Sequence, residues 1–183
     1  KKYWKNLPEA RLIPELIRTA PARAAEMQAK MPTIPPAFAA KAVATRAAMP
    51  ADVTPDTFKQ HLDACTRCPI GCRATQGVPG EGPLTAPLMI VGEQPGDAED
   101  LSGRPFTGPA GQLFDQCAAQ AALPREKTYV TNAVKHFKFT PRGKRRIHQR
   151  PDAGEVEICS WWLDLERQWV KPRLILAMGA TAA

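Results

Sequence analysis

The chain has 183 residues, 44% of them apolar, and a formal net charge of +7. That is enough for one domain with an appendage, in a composition typical of globular proteins rather than disordered or fibrous ones. No run of about 18 apolar residues exists, which argues against a transmembrane helix, and five cysteines without a signal-like start fit a reduced, cytoplasmic setting better than a disulfide framework.

In chain order, residues 1–30 carry Leu12, Ile13, Leu16 and Ile17 at helical spacing and read as the helical tail of a preceding domain. Residues 31–57 are rich in Ala and Pro and read as a linker, with one short helix around Phe38 to Ala48. A second domain spans 58–183. It opens with a helical turn, Phe58 to Ala64, leading into CTRCPIGC, and continues through a Gly/Pro loop, Gln76 to Pro83. Leu88 to Val91 is a short apolar run ending in turn residues, the mark of a buried strand that delivers a loop. A helix follows from Gly111, with Leu113, Phe114, Cys117 and Ala121 on one face. Tyr129 to Val134 is a β-branched and aromatic strand, Glu155 to Trp169 a helix, and Leu174 to Met178 a third strand. Strands alternating with helices predict a parallel sheet in an α/β fold. The chain starts at Lys1 without Met and stops at Ala183 just after a strand, so we read it as a fragment truncated at its C-terminus.

Three stretches carry candidate chemistry. In the loop after the first strand, Gly92 and Gly96 allow a ligand close to the backbone, and Glu93 adds a carboxylate. The same residues also suit a plain turn. Cys65-x-x-Cys68 signals a metal or iron–sulfur site. Cys159, Cys72 and His136 are further candidate ligands, zinc and a redox dithiol are rival uses, and Cys117 reads as a buried small hydrophobe. Asn132 ends the second strand with an amide able to read a base edge, and Phe106 sits on a Gly/Pro loop where it could stack on a base. Lys135 to Arg150 holds seven Lys/Arg and no acidic residue, so the whole excess charge is local, as suits a polyanion partner. Within it, Lys144, Arg145 and Arg146 flank His148, an arrangement that would bind phosphates and keep the imidazole unprotonated. An ordinary solvated basic loop has the same composition.

GEQPG, GRPFTGPAG, YVTNAVKHFKF and KRRIH, in this order, resemble the uracil-DNA glycosylase superfamily, in particular the UdgX branch related to the family 4 iron–sulfur enzymes. The resemblance runs from about Cys65 to Ala183 and implies a three-layer α/β/α fold with a parallel four-stranded sheet, here incomplete. It implies uracil in DNA as substrate, single-stranded DNA as partner, a monomer and no membrane. Gly92, Gln94 and Gly96 would enclose the base and sugar, Phe106 would stack on uracil, and Asn132 would bond its polar edge. Glu93 would stabilise the cationic sugar, Lys144, Arg145 and Arg146 would hold the loop and the phosphates, and His148 would attack the sugar to leave a covalent adduct. Family 4 has Cys where this chain has His136, and the UdgX branch shares the His. The implied [4Fe–4S] ligands are therefore Cys65, Cys68, His136 and Cys159, with Cys72 in reserve. The family's later His-Pro-Ser motif is absent, and residues 1–30 resemble a domain fused upstream of such enzymes. A conventional hydrolytic glycosylase, a non-catalytic DNA-binding module and a zinc module are the competing readings.

Overall fold

The computed structural model describes residues 52–183 and five upstream positions, Glu15, Arg18, Thr19, Ala22 and Glu26. The chain falls into two compact units, Lys1–Val43 and Ala44–Ala183. In the first, the five described positions are helical, and Thr19 Oγ1 donates to the Glu15 carbonyl at 2.9 Å. The rest of the expected helical tail, and the expected linker up to residue 51, lie outside the described residues.

The second unit is built on three parallel strands: β1 (Leu88–Gly92), β2 (Thr128–Asn132) and β5 (Leu174–Ala177), in the order β2-β1-β5. Side chains alternate across β1 with the period of two that a strand imposes. Ile90 faces one side, with Val130, Phe114 and Ala118. Met89 and Val91 face the other, with Tyr129, Ala133 and Val170. The first face is covered by α3 (Pro109–Gln120), the second by α4 (Ala153–Val170), which makes the three layers. A third cluster joins α1 (Phe58–Asp63) to α4: Phe58 meets Trp162 and Trp169 edge-on, with ring centroids 5.5 and 5.1 Å apart.

The helix boundaries follow local chemistry. Pro109 stands in the first turn of α3, where its missing N–H costs nothing. Asp152 caps α4 by accepting from Glu155 N at 3.0 Å while Glu155 Oε2 accepts from Asp152 N at 2.8 Å, a reciprocal capping box. Lys171 in the left-handed region, followed by Pro172, stops that helix.

A short helix and a hairpin were not foreseen. Asp97–Ser102, inside the expected loop, is a helical turn and a half, α2. The basic segment is not a loop but an antiparallel hairpin, β3 (Phe139–Arg142) paired with β4 (Arg145–His148), with Phe139 opposite His148. Among the described residues no helix is long and apolar enough to cross a membrane.

Candidate active site

The register of β1 and β2 places Gly92 beside Asn132, so the loops leaving both strands start at one point on the sheet's carboxyl edge. Ala133 N and Val134 N donate to the carbonyls of Gly92 and Glu93 at 2.8 and 3.0 Å and hold the two exits together.

Gly92 is small for a reason other than backbone freedom. A β-carbon on it would collide with Asn132 Oδ1 and lie 2.9 Å from Phe106 Cζ. The buried Asn132 amide and the Phe106 ring therefore both pack against the bare backbone of Gly92. Phe106 has a φ of 57°, a left-handed conformation that costs a bulky residue on the order of 1–3 kcal/mol. Its surroundings hold it there. Phe114 meets its ring edge-on at 5.6 Å, and Gly111 lets the start of α3 lie against its carbonyl. Arg125, paired with Asp115, donates to the Pro105 carbonyl at 3.2 Å.

One residue beyond Gly92, Glu93 comes together with His148: Oε1 of the one is 3.6 Å from Nε2 of the other. They are contributed by different sheets, and two clamps create the proximity. Gln94 is the first. Its Nε2 donates to the Gln149 carbonyl at 2.9 Å and more weakly to that of Lys138, and its Oε1 accepts from Lys138 N at 3.1 Å. Its carboxamide, expected to bind substrate, is thus engaged with both legs of the hairpin. Arg146 is the second. Its guanidinium bonds Asp97 Oδ1 at 2.6 Å, Thr75 Oγ1 at 2.9 Å and the fully buried Asp100, and it lies over the rings of Phe137 and Phe139. This corrects the expectation that Arg146 is offered to phosphates: its donors point inward. Lys144 and Arg145 are exposed at the hairpin tip, where Gly143 turns the chain at φ 60°.

Sequence reasoning missed three acidic residues that organise the site. Glu99 is buried and accepts from Gly96 N and Gly108 N, both at 3.0 Å, so one carboxylate ties the GEQPG loop to the Phe106 loop. Its position three residues after Gly96 was the available signal, since Glu at the third helical position caps a first turn. Glu166 has no exposure and accepts from Lys135 Nζ at 2.6 Å, Thr131 Oγ1 at 2.7 Å and Gly80 N at 2.6 Å. Lys135 Nζ also donates to the Asn132 carbonyl at 2.6 Å, so this buried pair sets the backbone that carries Asn132. Asp100, the partner of Arg146, is the third.

Three of the expected cluster ligands share the apolar cluster between α1 and α4. Cys68 and Cys159 are buried in one apolar cluster, with Cys65 packed on it and Cys72 exposed outside. Burial pushes the Cys159 thiol up to about 12; Lys135 N–H, donating to its Sγ at 3.2 Å, opposes that shift, and the neighbouring Cys68 and Cys65 add to it. His136 is buried, and that burial lowers its pKa. Its Nε2 lies 3.0 Å from the Leu62 carbonyl, which suits a proton on Nε2 and a lone pair on Nδ1, the state of a ligating imidazole. Soft thiols with one such imidazole fit an iron–sulfur cluster. Among the described residues, however, no three of these side chains are arranged to hold a metal ion.

The arrangement defines a three-layer α/β/α protein with a carboxylate–imidazole pair and a packed amide–aromatic pair at the carboxyl ends of its parallel strands. Residues 79–183 match the uracil DNA glycosylase superfamily, and the chain belongs to that superfamily. It is similar to the type-4 uracil-DNA glycosylase of Pyrobaculum aerophilum, 39% identical over 130 residues, covering 70% of this chain and 63% of that protein. The type-4 uracil-DNA glycosylase of Thermotoga maritima is 36% identical over 127 residues, 69% of this chain and 62% of that protein. A type-5 uracil-DNA glycosylase of Pyrobaculum aerophilum is 30% identical over 158 residues, 69% of this chain and 66% of that protein. The chain thus spans less than two thirds of the length of these curated relatives.

Proposed function

We propose that this protein is a uracil-DNA glycosylase that cleaves the bond between uracil and deoxyribose in DNA and keeps the sugar on His148. The observation that carries the reading is the 3.6 Å approach of Glu93 Oε1 to His148 Nε2, one residue from the Gly92 backbone on which Asn132 and Phe106 pack. A flipped uracil would stack on Phe106 and bond the Asn132 amide, which offers a donor and an acceptor together. Lys144 and Arg145 would meet phosphates, and Arg146 would act through the hairpin it pins.

As the C1′–N1 bond breaks, its electron pair leaves with uracil and the sugar becomes oxocarbenium-like. The Glu93 carboxylate opposes that positive charge. The imidazole lone pair of His148 then forms the new bond to C1′. The imidazole gives up its remaining N–H proton, and the uracil anion takes one up through solvent. The sum is free uracil and an N-glycosylated histidine. We place the protein in the cytoplasm as a monomer acting on single-stranded DNA, where base extrusion is cheapest. The basic hairpin supports DNA as the partner.

Cys65, Cys68, Cys159 and His136 would hold a [4Fe–4S] cluster, and when bound it would cross-link the end of α1, the exit of β2 and α4. Purified protein is expected to contain iron and acid-labile sulfide, both lost in Cys68→Ser; metal-free protein of unchanged thermal stability would exclude this.

The function is tested with the intact protein and a labelled single-stranded oligonucleotide carrying one uracil, run on a denaturing gel. A band that survives denaturation is expected for wild type and absent for His148→Ser. Alkali-sensitive product without that band would make the enzyme hydrolytic, with water in place of the imidazole. Neither product would leave a DNA-binding module.

A further inference from the structure

Glu93 has a partner near the end of the chain, outside the GEQPG, GRPFTGPAG, YVTNAVKHFKF and KRRIH motifs. Thr181 Oγ1 donates to Glu93 Oε2 at 2.6 Å across 88 sequence positions. The fold builds this contact. β5 lies beside β1 with Ala177 opposite Val91, and Met178 N donates to the Val91 carbonyl at 2.8 Å. Gly179, at φ 99°, then turns the chain back over the loop that carries Glu93.

The carboxylate is contested. His148 lies 3.6 Å from Oε1, Arg150 lies 3.9 Å from Oε2, and the Glu93 side chain is 30% exposed, so water competes as well. The terminal torsion of a Glu side chain is broad and nearly two-fold, so its oxygens exchange readily unless one is held. A short O–H···O⁻ bond is the strongest contact Glu93 makes here, whereas the exposed Arg150 pair contributes little.

We propose that Thr181 is a positioning residue for the reaction: its hydroxyl holds Oε2 and so presents Oε1 to His148 and the sugar instead of letting the carboxylate swing to Arg150. The inference rests on the reading of Glu93 as the carboxylate that stabilises the cationic sugar.

The test compares wild type, Thr181→Val and Thr181→Ser of the intact protein in single-turnover uracil excision at saturating DNA, with DNA affinity and thermal stability measured on each. Valine keeps the shape and removes the donor, and serine keeps the donor. Thr181→Val is expected to excise about 10- to 100-fold more slowly, the scale of one hydrogen bond to a charged group, with unchanged DNA affinity and melting temperature. Thr181→Ser is expected to restore most of the rate. An unchanged rate in Thr181→Val overturns the proposal. So does a loss shared by both variants that follows their melting temperatures, because that is a packing effect of the methyl group. Wild-type protein that excises no uracil overturns the glycosylase reading itself, an outcome separate from either of these.

Discussion

Glu93→Gln is expected to lower the single-turnover rate of uracil excision by about 100- to 1,000-fold, the usual loss when one electrostatic stabiliser is removed from an active site. Glutamine has the shape of glutamate, and its amide oxygen can still accept the Thr181 hydroxyl that now bonds Oε2 at 2.6 Å. What it lacks is the negative charge. That charge faces His148 at 3.6 Å and, on our reading, the sugar carbon where positive charge develops. A half-exposed contact of this kind adds little to folding stability, so the melting temperature and the affinity for DNA should stay near wild type. Rapid-quench kinetics with a labelled uracil oligonucleotide measures the effect. A rate within about threefold of wild type would remove Glu93 from the chemistry.

Lys135→Met is expected to cost about 3–5 kcal/mol of folding stability, the range for breaking a buried ion pair from one side. Lys135 and Glu166 have no solvent exposure, and their charged atoms are 2.6 Å apart. Removing the ammonium leaves a buried carboxylate with only Thr131, Gly80 and a 3.4 Å contact from the Tyr129 hydroxyl. The Asn132 carbonyl loses its donor in the same step, so affinity for uracil-containing DNA should fall as well. Replacing both partners, Lys135→Met with Glu166→Leu, should recover part of the stability, because it removes the unpaired buried charge while still stripping Gly80 N and the Asn132 carbonyl of these side-chain partners. Urea denaturation of the two singles and the double closes the cycle. Single variants that cost less than about 1 kcal/mol would mean that the pair behaves like a hydrated surface bridge.

Much of the scaffold was legible in the chain. Met89, Ile90 and Val91 are an apolar run bounded by turn residues, and they form the central strand. The second strand ends at Asn132 rather than the expected Val134: Ala133 N still bonds the carbonyl of Gly92, the last residue of β1, whereas Val134 N bonds that of Glu93 in the loop beyond it. The six-residue helix α2 was hidden by its flanking glycines, Gly96 and Gly103, which resemble turn chemistry. The hairpin was hidden by its charge and by Pro141. In KRRIH only Ile147 is a strand former; Arg146 bonds Asp97 and Asp100 on α2, and Gln94, on the loop after β1, bonds the Gln149 carbonyl, and together they clamp the hairpin.

The sequence by itself determined the alternation of strands and helices, the glycine-rich loops at strand ends and the residue types of the candidate site, because periodicity, capping and turn chemistry act over a few positions. Which of those residues meet was decided only by the tertiary structure. Glu93 and His148 touch because a hairpin from one part of the chain is clamped to a loop from another. Glu166 looks like an ordinary surface residue of an amphipathic helix until the sheet delivers Lys135 beside it. Thr181 reaches Glu93 only because β5 lies parallel to β1. Such contacts form between groups far apart in the chain, where packing and charge pairing act and no local pattern records them.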